Sequence, residues 1–471
     1  LMVACARRAA DDAGGGAVLL AAVDRVAVVN ILAWRYPNPP RALAERLAIG
    51  PQEEIYTTIG GNTPQSLVTE TAAAIKAGRV GVALLAGAEA MHSLSRARKT
   101  NTRLPWKIET AGTPTVIGDE RDGISGYELS HGLMLPIQIY PLFENAIRAH
   151  AGRTIAAHQA RIGELYSRFT AVAATRPDAW FPTARTPDEL VTVTADNRYI
   201  GFPYPKRVNA ILDVDQAAAV IMTSVGRARA LGIHPSRWVY LRGSGEAHDH
   251  WFVTERTNYY ASPAIRVAAH DAYASAGVDI GQVAHLDLYS CFPAAVQMGR
   301  DALGIAADDP RALTVTGGLA YFGGPGNNYV MHSIATMLER CRAQPGSLGL
   351  VTALGWYVTK HAVGIYSTDP GEGPWQRRDP RAAQAAVDAE PVPLLAHEPN
   401  GRATVETYTV FHDRCGAPMR GLVVGRTGDG HRFLADTPAD RDTLDGLEHA
   451  EGVGRAGVVS TQDGQSVFRL S

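Results

Sequence analysis

Residues 317–338 read GGLAYFGGPGNNYVMHSIATML. A strand-like run, Ala312–Thr316, leads into five glycines, one proline and two asparagines, and a helix-like run, Val330–Cys341, leads out. Such a loop frees backbone N–H groups and lets a ligand approach the main chain closely. A purely structural strand-to-helix turn fits the same residues. What surrounds the loop has to separate the two readings.

The chain has 471 residues, which at roughly 150 residues per domain predicts about three units. Lys and Arg number 45 against 47 Asp and Glu, a balance that gives no electrostatic case for nucleic acid or an anionic membrane. Cys5, Cys291, Cys341 and Cys415 are scattered with no CxxC pair. Neither a zinc site nor a disulfide framework is indicated, and the expected location is a reducing cytoplasm. No apolar run reaches the roughly 18 residues a membrane helix needs, and no signal peptide is visible.

Working back from the loop, strand-like and helix-like runs alternate at short spacing. Val23–Leu32, Ile55–Ile59 and Val80–Ala86 read as strands, with helices at Leu1–Ala13, Pro39–Leu47 and Pro64–Ala77. The continuous apolar run VGVALLA is the mark of a strand buried on both faces. The same alternation resumes from Trp238 to Ser367. Two α/β halves with parallel sheets follow from it. Between them, residues 93–206 interleave aromatics and prolines with the helices Tyr140–Ala151 and Ile155–Thr175. After a polar, proline-rich stretch, short strands separated by Gly/Asp turns form a small β-rich unit.

The motifs now resemble the thiolase superfamily, and most closely thiolases of the sterol-carrier-protein type. Their His-Asp-Cys-Phe box corresponds to Tyr289-Ser290-Cys291-Phe292. Their Gly-Gly-Leu and Gly-His-Pro boxes correspond to Gly317-Gly318-Leu319 and Gly323-Gly324-Pro325. The turn that carries their nucleophilic cysteine corresponds to Gly61-Asn62-Thr63-Pro64, and their last strand turn to Leu354–Gly364. The tail RATVETYTVFHDRCGAP is similar to that of thiolase-like proteins of type 1, which carry an additional C-terminal domain. The resemblance implies an α/β thiolase fold: two similar βαβαβαββ halves in α/β/α/β/α layers, an inserted loop domain, and a small OB-like C-terminal domain. The halves fall at 1–92 with 207–232 and at 233–369, the insert at 93–206, a linker at 370–400 and the added domain at 401–471. The first strand of the first half would precede Leu1.

Three of the four chemical groups of that family are replaced. Gly61 stands at the nucleophile, Gly324 at the Gly-His-Pro histidine and Tyr289 at the first box histidine; only Cys291 is kept. Without an acyl nucleophile the covalent route is closed rather than slowed. The implied function is therefore binding of CoA or an acyl-CoA thioester, acyltransferase-like, with ordinary thiolase turnover lost or altered. No other cofactor is implied. The alternative is a scaffold whose C-terminal domain recognises a protein partner or acyl carrier; nucleic acid fits its charge poorly.

Cys291 reads either as a buried core thiol or as a retained acid/base, with Tyr289 and His361 as its catalytic company. Gly61, Asn62, Thr63, Gly323, Gly324, Asn327 and Tyr357 are the expected substrate-binding positions, through backbone N–H and amide groups. Thr63 before Pro64 is equally a helix start. At the last strand turn, alternation allows only one of Lys360 and His361 to face the site.

Overall fold

A computed structural model describes residues 1–471. In the first half, β1 (Arg25–Val28), β2 (Glu53–Thr57) and β3 (Val82–Ala90) are parallel neighbours, and β4 (Thr115–Ile117), from within the stretch expected as the insert, adds to their edge in the order β4-β2-β1-β3. β5 (Tyr199–Gly201) and β6 (Tyr204–Pro205) belong to the insert, and β7 (Asp215–Thr223) closes the first sheet antiparallel to β3. In the second half, β8 (Tyr240–His248), β9 (Val283–Asp287), β10 (Leu348–Gly355) and β11 (Lys360–Ser367) run in the order β8-β11-β10-β9. The two sheets superimpose as a pattern, β9-β10-β11 repeating β1-β3-β7. β11 is flanked by β8 on the side where β7 ends its sheet.

The helices Thr63–Lys76 and Tyr329–Ala343 lie between the two sheets and touch strands of both. Met2–Asp12 covers β7 and β3 from outside, as Pro263–Ala276 covers β8 and β11. This is the layered α/β arrangement expected, but the sheets are mixed rather than parallel: β7 runs antiparallel to β3, and β11 runs antiparallel to both β10 and β8, because short hairpins and edge strands replace crossovers there. One buried apolar cluster runs through the second half, the central helices and the insert. A second lies under Met2–Asp12, and a third fills the C-terminal unit. A glycine is required where a sheet meets a helix closely: a Cβ on Gly245 would meet the Ala268 carbonyl. No helix is long and apolar enough to cross a membrane.

The strand expected at Ala312–Thr316 does not form. Leu288 N–H donates to the Leu313 carbonyl at 2.9 Å, and beyond that point a side chain takes over from the sheet. The Asp287 carboxylate, fully buried at the end of β9, accepts from Thr314 Oγ1 (3.0 Å), Val315 N–H (2.9 Å) and Thr316 N–H (3.3 Å). Its other oxygen accepts from Ser333 Oγ at 2.7 Å and Tyr329 Oη at 3.3 Å on the following helix. Burial pushes this carboxyl upward, and the Ser333 hydroxyl and the backbone N–H groups oppose the shift. The glycine-rich loop is thus gripped at both ends by one residue.

The C-terminal unit comprises β12 (Gly401–His412), β13 (Pro418–Thr427), β14 (Arg432–Asp436), β15 (Ala456–Gln462) and β16 (Gln465–Leu470). They close a five-stranded barrel in the order β12-β13-β14-β16-β15, with β15 returning to β12 and a helix, Arg441–His449, between β14 and β15. The barrel is built into the body. β5 extends its sheet through Phe411 and Gly201, and Asn145 Nδ2 donates to the Tyr408 carbonyl at 2.7 Å. Buried Arg148 pairs with Glu451 at 2.6 Å. The stretch 370–400 carries a helix, Pro380–Asp388, that the sequence reading missed. Gln384 fixes it to β8 by donating to the His248 carbonyl at 2.9 Å.

Replacing Asp287 by Ala strands several buried donors at once, and each buried donor without an acceptor costs on the order of 1–3 kcal/mol. Asp287→Ala is therefore expected to lower stability by about 3 kcal/mol or more in urea unfolding. An unchanged midpoint would mean that the loop holds itself without the carboxylate.

Candidate functional site

The turn between β2 and the helix Thr63–Lys76 carries Gly60, Gly61 and Asn62. Thr63 opens the helix and its hydroxyl donates back to the Gly60 carbonyl at 2.7 Å. Gly61 has no room for a side chain. A Cβ built there would fall on the Tyr289 hydroxyl and lie 2.5 Å from the Leu354 carbonyl. The Tyr289 side chain therefore fills the space that a side chain at position 61 would need. Tyr289 is itself buried, its ring edge-on to Tyr329 at 5.8 Å and its N–H donating to Thr352 Oγ1 at 2.8 Å. Burial holds its phenol well above the ordinary range, so it remains protonated.

Cys291 lies just beyond β9, ahead of the helix Pro293–Ala302. Burial pushes its thiol up to about 12, against a smaller lowering from the Tyr140 hydroxyl beside it. Tyr140 stacks on Phe292 at 4.4 Å and donates to the Trp356 carbonyl at 3.1 Å. A thiol so placed is a hydrogen-bonding group at neutral pH rather than a base. Tyr140 belongs to the insert, and nothing in the sequence spacing marks it as the partner of Cys291.

Gly324 donates its N–H to the Ile211 carbonyl at 2.9 Å, and a Cβ there would sit 3.1 Å from the same oxygen. Gly323, at φ 122°, is packed against the Gln216 side chain. Asn327 ties the loop to the first half: its Oδ1 accepts from Gly60 N–H at 2.9 Å and its Nδ2 donates to the Asn30 carbonyl at 3.1 Å. Tyr357 reaches the insert, donating to the Met134 carbonyl at 2.6 Å.

Lys360 and His361 part as alternation requires. Lys360 extends over the Gly60 turn and donates to the Ile59 carbonyl at 2.6 Å. His361 turns to the other face, its Nε2 3.4 Å from Asp249 Oδ2, in a buried group with Arg256 and Ser262. The structure thus brings Gly61, Tyr289, Lys360 and Asn327 to one turn, with Cys291 held by Tyr140, while His361 is committed elsewhere. His332 is buried against Phe322, and burial lowers it to about 4, so it is neutral. A cavity of about 600 Å³ lies between the insert and the barrel, lined by His150, Tyr260, Glu406 and Glu451 among others; none of the candidate residues lines it.

The fold is matched along the whole chain by a solved structure: a monomeric SCP2-thiolase-like protein type 1 (STLP1) from Mycobacterium smegmatis. It is 36% identical, covers 100% of this chain and 95% of its own, and superimposes with a TM-score of 0.86. This chain belongs to the SCP2-thiolase-like proteins of type 1. The family model for the thiolase-like protein type 1 additional C-terminal domain matches residues 383–465, beginning within the helix Pro380–Asp388. The Ltp2–ChsH2(DUF35) aldolase shares the fold at 20% identity and a TM-score of 0.55, over 74% of this chain and 87% of that one. Comparison with curated proteins finds no match.

Two outcomes follow for this type 1 protein. Gly61→Ala is expected to lose about 1–3 kcal/mol from overpacking, and Tyr289→Phe should rescue only part of that loss because the Leu354 carbonyl stays in place. Full tolerance of Gly61→Ala in thermal unfolding would show that the turn has room. Among the thiols, exposed Cys415 should react with iodoacetamide in the native protein, while Cys291 reacts only on unfolding. Native labelling of Cys291 at mildly alkaline pH would contradict its burial.

Proposed function

We propose that this protein binds acyl thioesters or CoA at the Gly60–Thr63 turn and does not run a two-cysteine thiolase cycle. The observation that carries the reading is the Tyr289 hydroxyl in the side-chain space of Gly61. A thioester there meets no thiolate, and Cys291, protonated beside Tyr140, supplies a donor instead of a base. Polar groups suited to a carbonyl or an anion remain. The helix Thr63–Lys76 points its N-terminus at the turn, Asn62 Oδ1 has no hydrogen-bond partner, and Lys360 places a cation above it. Any remaining acyltransferase-like chemistry has to proceed without an acyl-cysteine. The closed five-stranded barrel is in keeping with an OB-like domain. Its fixed bonds to the insert suit a wall of the body better than a tethered recognition module.

Two measurements on the intact protein test the reading. Thiolysis of acetoacetyl-CoA should show no turnover of the size typical of enzymes, on the order of 1–1000 per second. Calorimetric titration with CoA and a series of acyl-CoAs should show saturable heat. Thiolase-like turnover would refute the lost cycle, and absence of heat with every ligand would refute the binding.

A further inference from the structure

The chain contains 45 basic residues, yet only five are lysines: Lys76, Lys99, Lys107, Lys206 and Lys360. Four are exposed or half-buried, and Lys360 alone is buried, at 6% exposure. Its ammonium makes one hydrogen bond, to the Ile59 carbonyl at 2.6 Å, and is paired with no carboxylate. Asp119, the nearest acidic neighbour with influence on it, is already forked by Arg121. A buried cation without a counter-charge is costly, and a lysine relieves the cost by releasing its proton. Burial lowers Lys360 to about 8, so a substantial share is neutral amine near physiological pH.

The surroundings of this amine are fixed. A Cβ on Gly60 would lie 2.9 Å from Nζ, so the glycine keeps open the space the amine uses. The hairpin turn that carries Lys360 holds two non-glycine residues in the left-handed region, Trp356 at φ 57° and β-branched Val358 at φ 56°. Such a conformation costs of order 1–3 kcal/mol per residue and persists where the surroundings over-determine it. Buried Arg256 clamps the turn by donating to the Tyr357 carbonyl at 2.9 Å and the Val358 carbonyl at 2.6 Å. The Trp356 ring lies 5.8 Å from Nζ. The strained, clamped turn therefore aims a single poorly paired amine at the glycine turn that lacks a nucleophile.

We propose that Lys360 is an acyl acceptor for thioesters, a role that rests on the thioester-binding reading above. The neutral Nζ attacks the thioester carbonyl carbon, a C–N bond forms, and the C–S bond breaks. The thiol leaves with the proton released by the nitrogen, and the acyl group remains as an amide on Lys360. No oxidant, reductant or further reactant enters.

The test incubates the full-length protein with acetyl-CoA and, separately, with S-acetyl-N-acetylcysteamine, a thioester lacking the nucleotide. Peptide mass mapping then follows all five lysines. Lys360 should acquire acetyl at least about tenfold faster than exposed Lys107, since an amine titrating near 8 has a far larger neutral fraction than an ordinary lysine. Its rate should level off above pH of about 8. Lys360→Arg should lose this adduct and leave Lys107 labelling unchanged, with thermal unfolding checking its fold. Labelling of Lys360 by the small thioester but not by acetyl-CoA would sustain the acceptor while refuting the CoA site. Acetyl spread over the exposed lysines with Lys360 slowest, from both donors, would overturn the acceptor even where calorimetry shows CoA bound.

Discussion

The carboxylate of Asp287 sets the geometry on which the site depends. It lies at the end of a parallel strand, where the sheet stops supplying hydrogen-bond partners, and it substitutes for the missing neighbour. Two hydroxyls of the next helix and the hydroxyl and N–H groups of Thr314–Thr316 converge on it. A buried carboxylate is tolerable only when its lone pairs are engaged, and here the engagement spans residues up to 46 apart in the chain. With the loop held at both ends by this residue, Asn327 within it can reach across to Gly60 and Asn30 of the first half. The two halves thus meet through polar bonds that position backbone, and the glycine turns are placed relative to each other before any ligand arrives.

Much of this architecture was legible in the sequence because its signals are local. VGVALLA announced a strand buried on both faces, and that strand is β3. Thr63-Pro64 announced a helix start, although the structure puts Thr63 inside the helix with Asn62 before it and no side-chain cap. The strand expected at Ala312–Thr316 failed for a non-local reason: its partner is a side chain twenty-five or more residues upstream. The last barrel strand, Gln465–Leu470, and the helix Arg441–His449 escaped notice because their apolar positions are few and their burial comes from closure of the barrel.

At the site, the order of the motifs was readable and the consequence of each substitution was not. A glycine at position 61 does not state whether the space beside it is open or filled. Only the placement of Tyr289 shows that, since the two residues are far apart in sequence and meet through the stacking of the halves. Alternation foretold that Lys360 and His361 would diverge, but not which would face the turn. His361 was drawn away by a buried cluster, Asp249 with Arg256 and Ser262, whose members carry no shared sequence signature. Tyr140, the companion of Cys291, lies in the insert, where spacing relative to the motifs has no meaning.

The bonds between the insert and the barrel bear on how the chain comes to be folded. Asn145 pairs with Tyr408, 263 residues later, and Arg148 with Glu451, 303 residues later. During synthesis at roughly 5–20 residues per second, such a gap is on the order of tens of seconds. Throughout that interval Arg148 and Asn145 of the helix Pro136–His150 have each other but neither the Glu451 carboxylate nor the Tyr408 carbonyl. The insert can therefore reach its final packing only when the last strands have left the ribosome, although the first sheet has been complete since β7. Joining the barrel to the insert makes the helix Pro136–His150 one of the last parts of the chain to settle.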